Sequence, residues 1–330
     1  MKRFSILDLS PIPEGGTAGD ALRNTLDLAQ AAEAQGYHRF WLAEHHNMPG
    51  IASSATAVMI GQVARVTSSI RVGSGGVMLP NHSPLMVAEQ FGTLATLFPG
   101  RIDLGLGRAP GTDMQTARAL RKHSQGAEFF PNDVVELLGY LAPSTPEKKV
   151  RAIPGEGTEV PIWILGSSLS GAQLAGHLGL PYAFASHFAP QLLAEALHVY
   201  RSHFQPSRWL DQPYVMIGAG CYAAETDDEA HFLRSSHILG FAQLRTGRPG
   251  KLPRPVSDLR CELPDGVISA ISEDLSVSLV GGPGTLREQA KTLIDQFAPD
   301  ELILTAGIHD PAKRVASYAI AAKVLAELTT

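Results

Sequence analysis

Short apolar runs alternate along the chain with longer stretches whose apolar residues recur at helical spacing. The apolar runs lie at residues 4–9, 39–42, 70–72, 101–107, 161–165, 182–185, 214–219 and 302–305. Each run has the length of a buried strand, and a helical pattern follows each one. Strands that are separated by helices pair naturally in parallel, so the pattern predicts an α/β protein with a parallel sheet.

Polar residues that can cap a helix precede most of the helical stretches. Thr17 and Asp20, Thr226 and Glu229, and Thr285 and Glu288 have the spacing of a capping box. Further helix starts are predicted at Ser53 or Ser54, at Ser83 before Pro84, at Ser167–Ser168, at Pro190 and at Asp310 before Pro311.

Two segments interrupt the alternation, at residues 112–160 and 247–280. Both are rich in proline and are predicted to be irregular, apart from a helix near residues 133–141. With these segments as insertions after strands four and seven, the eight strands predict a (β/α)8 TIM barrel that forms a single domain over residues 1–330. A doubly wound open sheet is the alternative, but no G-x-G-x-x-G sequence follows the first strand.

The strand at residues 39–42 leads into Glu44, His45 and His46. In parallel α/β folds ligands bind at the carboxyl ends of strands, so this triplet is a candidate active-site wall. Neighbouring side chains of a strand face opposite ways, so the two histidines cannot both bind one metal ion, and no metal site is predicted. One imidazole acting as acid, base or hydrogen-bond donor fits better, while either histidine could instead be a structural partner of Glu44.

Two further strand ends carry glycine or serine. Residues 73–76 read Gly-Ser-Gly-Gly, which indicates a bulge, an ordinary turn or a planar ligand against bare backbone. Residues 166–171 read Gly-Ser-Ser-Leu-Ser-Gly at a helix start, where amides, hydroxyls and the helix dipole can bind an anion. Because Arg108 ends another strand at the same barrel mouth, a phosphorylated ligand is predicted.

The composition limits which binding partners and which cellular compartment are expected. The 27 Lys and Arg residues against 32 Asp and Glu give a net charge of −5, without a basic stripe, so a nucleic-acid partner is not expected. Cys221 and Cys261 form no C-x-x-C motif, which suits a reducing compartment. No signal peptide or membrane-length apolar run is seen, so a cytoplasmic protein without a membrane partner is expected.

Three sequence blocks resemble the bacterial-luciferase-like flavin monooxygenases. They are FWLAEHH at residues 40–46, VGSGGVMLPNHSPL at residues 72–85 and FPGRIDLGLGR at residues 98–108, with weaker similarity at residues 166–181 and 300–307. The resemblance implies a barrel that binds FMN and uses O2 on a small organic substrate. It also implies that a separate NAD(P)H-dependent reductase supplies the reduced flavin and that the protein forms a homodimer or a higher homo-oligomer.

The resemblance also assigns roles to residues. His45 matches the catalytic histidine near the reactive edge of the flavin, and Gly75–Gly76 matches backbone that supports the ring, often through a non-proline cis peptide. The phosphate contacts match Arg108 and the segment containing Gly166, Ser167, Ser168 and Gly171.

Alternatives within the same family stay open. Some of its members use the deazaflavin F420, and some relatives bind flavin without turnover, so an F420-dependent oxidoreductase and a non-catalytic flavin-binding protein are the competing interpretations. Light-emitting members carry a cysteine where this chain has Gly107 and an acidic residue where it has Ser167, which argues against light emission.

Overall fold

The computed structural model describes residues 1–109, 111–120, 128–146 and 148–329. Its strands are β1 (Arg3–Asp8), β2 (Arg39–Leu42), β3 (Arg71–Met78), β4 (Ile102–Gly107), β5 (Ile162–Gly166), β6 (Tyr182–Phe184), β7 (Val215–Ala223), β8 (Ser278–Gly281) and β9 (Glu301–Thr305).

Helices follow most of the strands. They are α1 (Ala18–Ala34), α2 (Thr56–Val66), α3 (Pro84–Leu97), α4 (Met114–Leu120), α5 (Phe130–Leu141), α6 (Leu169–Leu178), α7 (Leu193–His203), α8 (Asp227–Arg245), α9 (Asp265–Asp274), α10 (Pro283–Phe297) and α11 (Pro311–Ala326). None of the helices within the described ranges is both long and apolar enough to cross a membrane.

Eight parallel strands close into a ring, which confirms the predicted TIM barrel. The ring runs from β1 through β7 to β9, and β9 pairs again with β1. The strands of the ring correspond to the eight apolar runs of the sequence. Strand β8 lies outside the ring, where it pairs with residues 220–223 at the upper end of β7.

The two insertions are more regular than the sequence predicts. The first contains α5 at the predicted place and also the short helix α4, while residues 121–127 and 147 lie outside the described residues, as does Pro110 before it. The second was predicted to be irregular, and that prediction was wrong. It contains a 3-10 turn (Leu259–Cys261), helix α9 and strand β8. Ile271 and Leu275 of this insertion are buried against α8, where they pack with Ile238 and Ala242.

Three of the predicted helix caps are confirmed. The Thr17 hydroxyl accepts a hydrogen bond from the Asp20 amide at 3.2 Å, and the Asp20 carboxylate accepts one from the Thr17 amide at 2.9 Å, which completes a capping box. Thr226 caps α8 by accepting from the amide of Glu229 at 3.2 Å, but the Glu229 carboxylate accepts from Lys313 Nζ at 2.6 Å, so only half of the predicted capping box is found. Asp310 caps α11.

The caps predicted at Ser53 and Thr285 are wrong because tertiary contacts engage these side chains. Ser53 is buried and donates to the Leu9 carbonyl at 3.0 Å, and α2 starts after Ala55. Thr285 donates to Asp227 at 2.9 Å, and α10 starts after Gly282, whose amide donates to the same carboxylate at 2.6 Å. The helix starts predicted at Ser83 and at Ser167–Ser168 are confirmed, since Ser83 and Ser168 are the N-cap residues, although neither side chain makes a cap bond. The start predicted at Pro190 is wrong, because α7 begins at Leu193.

The barrel interior is layered from its amino end upward. Ion pairs form the lowest layer, where the Arg39 guanidinium lies 2.7 Å from Asp103 and 3.0 Å from Glu301. Above it Trp41 and Trp163 pack edge to face with their ring centroids 5.1 Å apart. Five further buried apolar side chains pack with them: Leu7, Ala43, Ala183, Met216 and Ile303. Side chains therefore fill the lower barrel, and the upper end holds the space for a ligand.

Candidate active site

A cavity of about 650 Å³ lies at the carboxyl ends of the barrel strands. This volume is in the range of small-molecule and cofactor sites. Trp41 forms part of its floor, and α6 and α8 contribute to its walls. The structure brings all eight of the predicted site residues to this one cavity: His45, Gly75, Gly76, Arg108, Gly166, Ser167, Ser168 and Gly171.

The two adjacent histidines face different surroundings, as strand alternation predicts. His45 lines the cavity. His46 instead bonds through Nε2 to Glu44 Oε1 at 2.9 Å. The same oxygen bonds to His82 Nε2 at 2.8 Å, and the other carboxylate oxygen accepts from the Met78 amide at 3.2 Å. His46 is therefore the structural partner of Glu44, and His45 is the histidine that can reach a ligand.

Burial and hydrogen bonds together set the charges of Glu44 and His45. Burial by itself would raise the pKa of the Glu44 carboxyl, but hydrogen bonds from His82, His46 and the Met78 amide lower that pKa below its ordinary value. Burial lowers the pKa of His45, against the opposing effect of Glu44. His45 is therefore neutral near pH 7.

The proton of the neutral His45 can be placed from its surroundings. Its Nδ1 is buried, and among the described residues it has no hydrogen-bond partner. An orphaned buried N–H is rarer than an orphaned buried acceptor, which places the proton on Nε2. The remaining edge of the ring thus presents an N–H group to the cavity.

Bare backbone at the end of β3 forms another wall. A Cβ built on Gly76 would lie 2.8 Å from the Gly105 carbonyl oxygen of β4, and one on Gly75 would lie 2.6 Å from the Leu7 side chain. The β3–β4 register shifts between Ser74 and Val77, as in a β-bulge, and the Gly75–Gly76 peptide is cis. Close packing of the strands thus requires these glycines, and the bulge that the sequence suggested is present.

An anion could bind where β5 enters α6. Ser168 is the N-cap residue, and its side chain makes no capping bond, so it leaves the first amides of α6 without that partner. Its hydroxyl lies 3.1 Å from that of Ser170. Arg108 lies at the end of the neighbouring strand β4, is exposed and lines the same cavity. Amides, hydroxyls and a guanidinium together fit a phosphate monoester.

Two cavity histidines were not singled out from the sequence. His187 follows β6, and its position at a strand end was the available signal. His237 lies on α8, where Phe241 and Leu244 follow at helical spacing and also line the cavity. Burial lowers the pKa of His187 to about 3 and that of His237 to about 4, so both are neutral near pH 7. Helices of a TIM barrel normally form an outer ring, and nothing in the spacing indicates that α8 reaches the mouth.

A closed parallel barrel with a ligand-sized cavity at the carboxyl ends of its strands defines a TIM-barrel enzyme. The family model for luciferase-like monooxygenases matches residues 1–298, and the chain belongs to that family. Membership of this family supports an oxidoreductase and implies a small-molecule substrate.

Relatives match over most of the chain. A luciferase-like monooxygenase of Escherichia coli (strain K12) is 50% identical over 326 residues, which cover 98% of this chain and 97% of that protein. The N-acetyl-S-alkylcysteine monooxygenase of Bacillus subtilis (strain 168) is 40% identical over 237 residues, 70% of each chain. The crystal structure of apo-MsnO8 superposes with a TM-score of 0.88 at 33% identity, covering 100% of this chain and 99% of that one.

The barrel is also shared with more distant enzymes of known cofactor. The oxygenating constituent of 3,6-diketocamphane monooxygenase from Pseudomonas putida, solved in complex with FMN, gives a TM-score of 0.73 at 18% identity, with coverage of 100% and 99%. An F420-dependent secondary alcohol dehydrogenase gives 0.70 at 15% identity, with coverage of 98% and 99%. At these identities the likeness concerns the fold alone.

Proposed function

We propose that the protein is the oxygenase of a two-component flavin monooxygenase. It binds reduced FMN from a separate NAD(P)H-dependent reductase and uses O2 to oxidise a small organic molecule. One observation carries the proposal: every residue that the sequence assigns to flavin binding or catalysis lines a single cavity. Membership of the luciferase-like monooxygenase family supports the reaction class.

The cavity has a feature for each part of FMN. The first amides of α6, the Ser167 and Ser168 hydroxyls and Arg108 would hold the phosphate. The backbone of Gly75 and Gly76 lines the cavity without side chains and would support the ring. Bound reduced FMN would supply the two electrons with which O2 is activated.

His45 would supply proton transfer, and the apolar walls would exclude water from the site. His45 lines the cavity with a ring that is neutral at rest. Its Nε2–H group can donate a hydrogen bond there, and it can release its proton when Nδ1 of the same ring takes one up. The Trp41 floor and apolar side chains such as Met216 and Ile303 exclude bulk water from the lower part of the cavity. A dry site strengthens the hydrogen bonds made inside it.

Titration of the purified protein with oxidised FMN, anaerobically reduced FMN and F420 tests the cofactor. We expect saturable binding of FMN in at least its reduced form. Saturable binding of F420 alone would overturn the assignment and favour the F420-dependent class, for which the distant alcohol dehydrogenase provides the precedent in the same fold.

Catalysis is tested separately from binding. With a purified flavin reductase, NADH and O2, we expect the protein to convert members of a substrate panel into products that contain one added oxygen atom, traced with 18O2. If bound reduced FMN reoxidises no differently from free reduced FMN and the panel yields no oxygenated product, the protein is a flavin-binding protein without turnover. We further propose a homodimer in the cytoplasm, and light scattering of the purified protein tests its oligomeric state.

A further inference from the structure

His187 lies on the side of the cavity opposite His45. In the ring of eight strands β6 stands across from β2, and β7 stands across from β3. The loop after β6 is fixed to β7, because the buried Ser186 hydroxyl donates to the Gly218 carbonyl at 2.6 Å. His187 therefore has a defined place on the wall that faces both His45 and the Gly75–Gly76 backbone.

The imidazole of His187 packs against Gly218, where there is no side chain to displace it. A Cβ built on Gly218 would collide with Nδ1 of His187. On another side the ring packs edge to face against Phe188, with centroids 4.9 Å apart and planes at 78°. These contacts hold the ring in one orientation, with the Nδ1 edge turned toward β7.

The orientation decides which atom meets a ligand. Nδ1 of His187 is buried and has no hydrogen-bond partner among the described residues, which places the proton on Nε2 by the same reasoning as for His45. Burial, followed by the charges that His237 and His45 would carry, lowers its pKa to about 3. The cavity-facing edge is thus an N–H donor on a ring that is neutral near pH 7.

The surroundings of this donor are apolar. Met216, Phe241 and Ile303 line the same cavity, and the histidines that line it with His187, namely His45 and His237, are neutral near pH 7. Among the described lining residues the charged side chains are Arg108 and Glu128, both exposed. A neutral donor in an apolar wall favours an uncharged acceptor, since a carboxylate bound there would be desolvated without a counter-charge.

We propose that His187 determines substrate specificity by donating a hydrogen bond from Nε2 to an uncharged acceptor, such as a carbonyl oxygen, on a mainly apolar substrate. The inference rests on the proposed function in one respect. FMN would occupy the glycine and serine wall over β3 to β5, which leaves the His187 wall to the substrate.

The tautomer is tested first, without any ligand. In 15N-histidine NMR spectra the signals of His187 are those missing from H187Q. We expect a neutral ring protonated at Nε2 from pH 6 to pH 8. An Nδ1-protonated ring, or an imidazolium at pH 7, overturns the proposal.

Two probes of the same shape test recognition. Acetophenone carries a carbonyl where α-methylstyrene carries a methylidene group. By ligand-observed NMR titration, with and without saturating FMN, we expect the protein to bind acetophenone about tenfold more tightly or better, the scale of one hydrogen bond to an otherwise unpaired group. Equal affinities, or no measurable affinity for either probe, overturn the proposal.

Variants of His187 separate hydrogen bonding from packing. H187Q keeps an N–H group at a similar reach and should keep the preference for acetophenone, whereas H187M has the same length without a donor and should lose it. H231Q changes an exposed histidine of α8 and serves as the matched control. If H187Q loses the preference as fully as H187M does, the residue acts through packing and the proposal fails.

A second route leaves His187 in place. G218A adds one methyl group where the imidazole sits, so it should displace the ring and reduce the preference even if H187M folds poorly. FMN affinity should be unchanged in all these variants. Failure of the wild-type protein to bind FMN would refute the proposed function, while the tautomer and the preference measured without FMN would still decide the role of His187.

Discussion

His45 and His46 are consecutive in the sequence, yet only His45 faces the cavity, because His46 is engaged by Glu44. Alternation along a strand predicts that they diverge but does not say which one faces inward. The structure settles this, because the Glu44 carboxylate, which also bonds to His82 and the Met78 amide, bonds to His46 and not to His45.

Replacing His45 with Gln tests its proposed chemistry. The amide roughly keeps the volume and hydrogen bonding but has no acid–base capacity, so FMN binding should persist while reoxidation of bound reduced FMN by O2 slows by ~10²-fold or more. Stopped-flow absorbance measures the rate. His46→Gln is the matched control, and if it is the slow variant while His45→Gln reacts at the native rate, the wrong histidine has been chosen.

Arg108 is proposed to contact the phosphate, and Arg108→Ala tests that contact. A charge-assisted hydrogen bond contributes about 1.5–3 kcal/mol, so FMN affinity should fall roughly tenfold to a hundredfold. Riboflavin lacks the phosphate and should bind both proteins equally, as calorimetry can show. An equal loss for both ligands would mean that Arg108 supports the fold of the site instead.

At the scale of elements, the sequence correctly predicted helix caps whose hydrogen-bond partners lie nearby in the chain. The Thr17 capping box is confirmed because both of its partners lie within one turn of the helix. Thr285 was misassigned because its partner is Asp227, which is 58 residues away in sequence. The glycines of β3 were predicted as a bulge or a ligand surface, and the packing of β3 on β4 shows why a side chain is excluded at Gly76.

Gly76→Ala measures how tightly that element is packed. The added methyl group would meet the backbone of β4 at Gly105, and such overpacking typically destabilises by about 1–3 kcal/mol. Gly139→Ala is the opposite case, since Gly139 lies in helix α5 with nothing near its Cβ position, and it should stabilise by up to about 1 kcal/mol. Urea denaturation of both variants provides the comparison, and a harmless Gly76→Ala would contradict the packing argument.

On the scale of the whole molecule, the count of apolar runs was enough to predict the barrel. It missed β8, because a four-residue strand with a single neighbouring strand leaves little pattern in the sequence. It also gave no sign of the ionic layer at the bottom of the barrel. Arg39, Asp103 and Glu301 come from three separate strands, and only closure of the ring brings them together.

Asp103→Asn tests what this layer contributes. The change leaves the Arg39 and Arg71 guanidinium groups without their shared carboxylate, and breaking a buried pair costs about 3–5 kcal/mol. Urea denaturation at pH 7 measures the loss. Asp211→Asn, an exposed change, should stay within about 0.5 kcal/mol of the wild type.

Asp103→Asn should also change how the free energy of unfolding depends on pH in acid. Burial alone would raise the pKa of Asp103, but Arg39 and Arg71 lower it below its ordinary value. The stabilisation is therefore complete above the unfolded-state pKa of about 3.9 and is lost as the pH falls through the lower folded-state value. Asp103→Asn should flatten the fall in unfolding free energy below pH 4. An unchanged acid dependence would assign it to other carboxyl groups.

The two indoles under the cavity allow ligand binding to be detected by the intrinsic fluorescence of the protein. Of three tryptophans in the chain, Trp41 lines the ligand space and Trp163 packs against it, while Trp209 stacks with Arg208 elsewhere. Isoalloxazines absorb light where indoles emit, so a flavin above this floor would quench the emission of Trp41 and Trp163 by energy transfer. Occupancy of the site could then be followed in solution by intrinsic emission, with no dye attached and no residue exchanged.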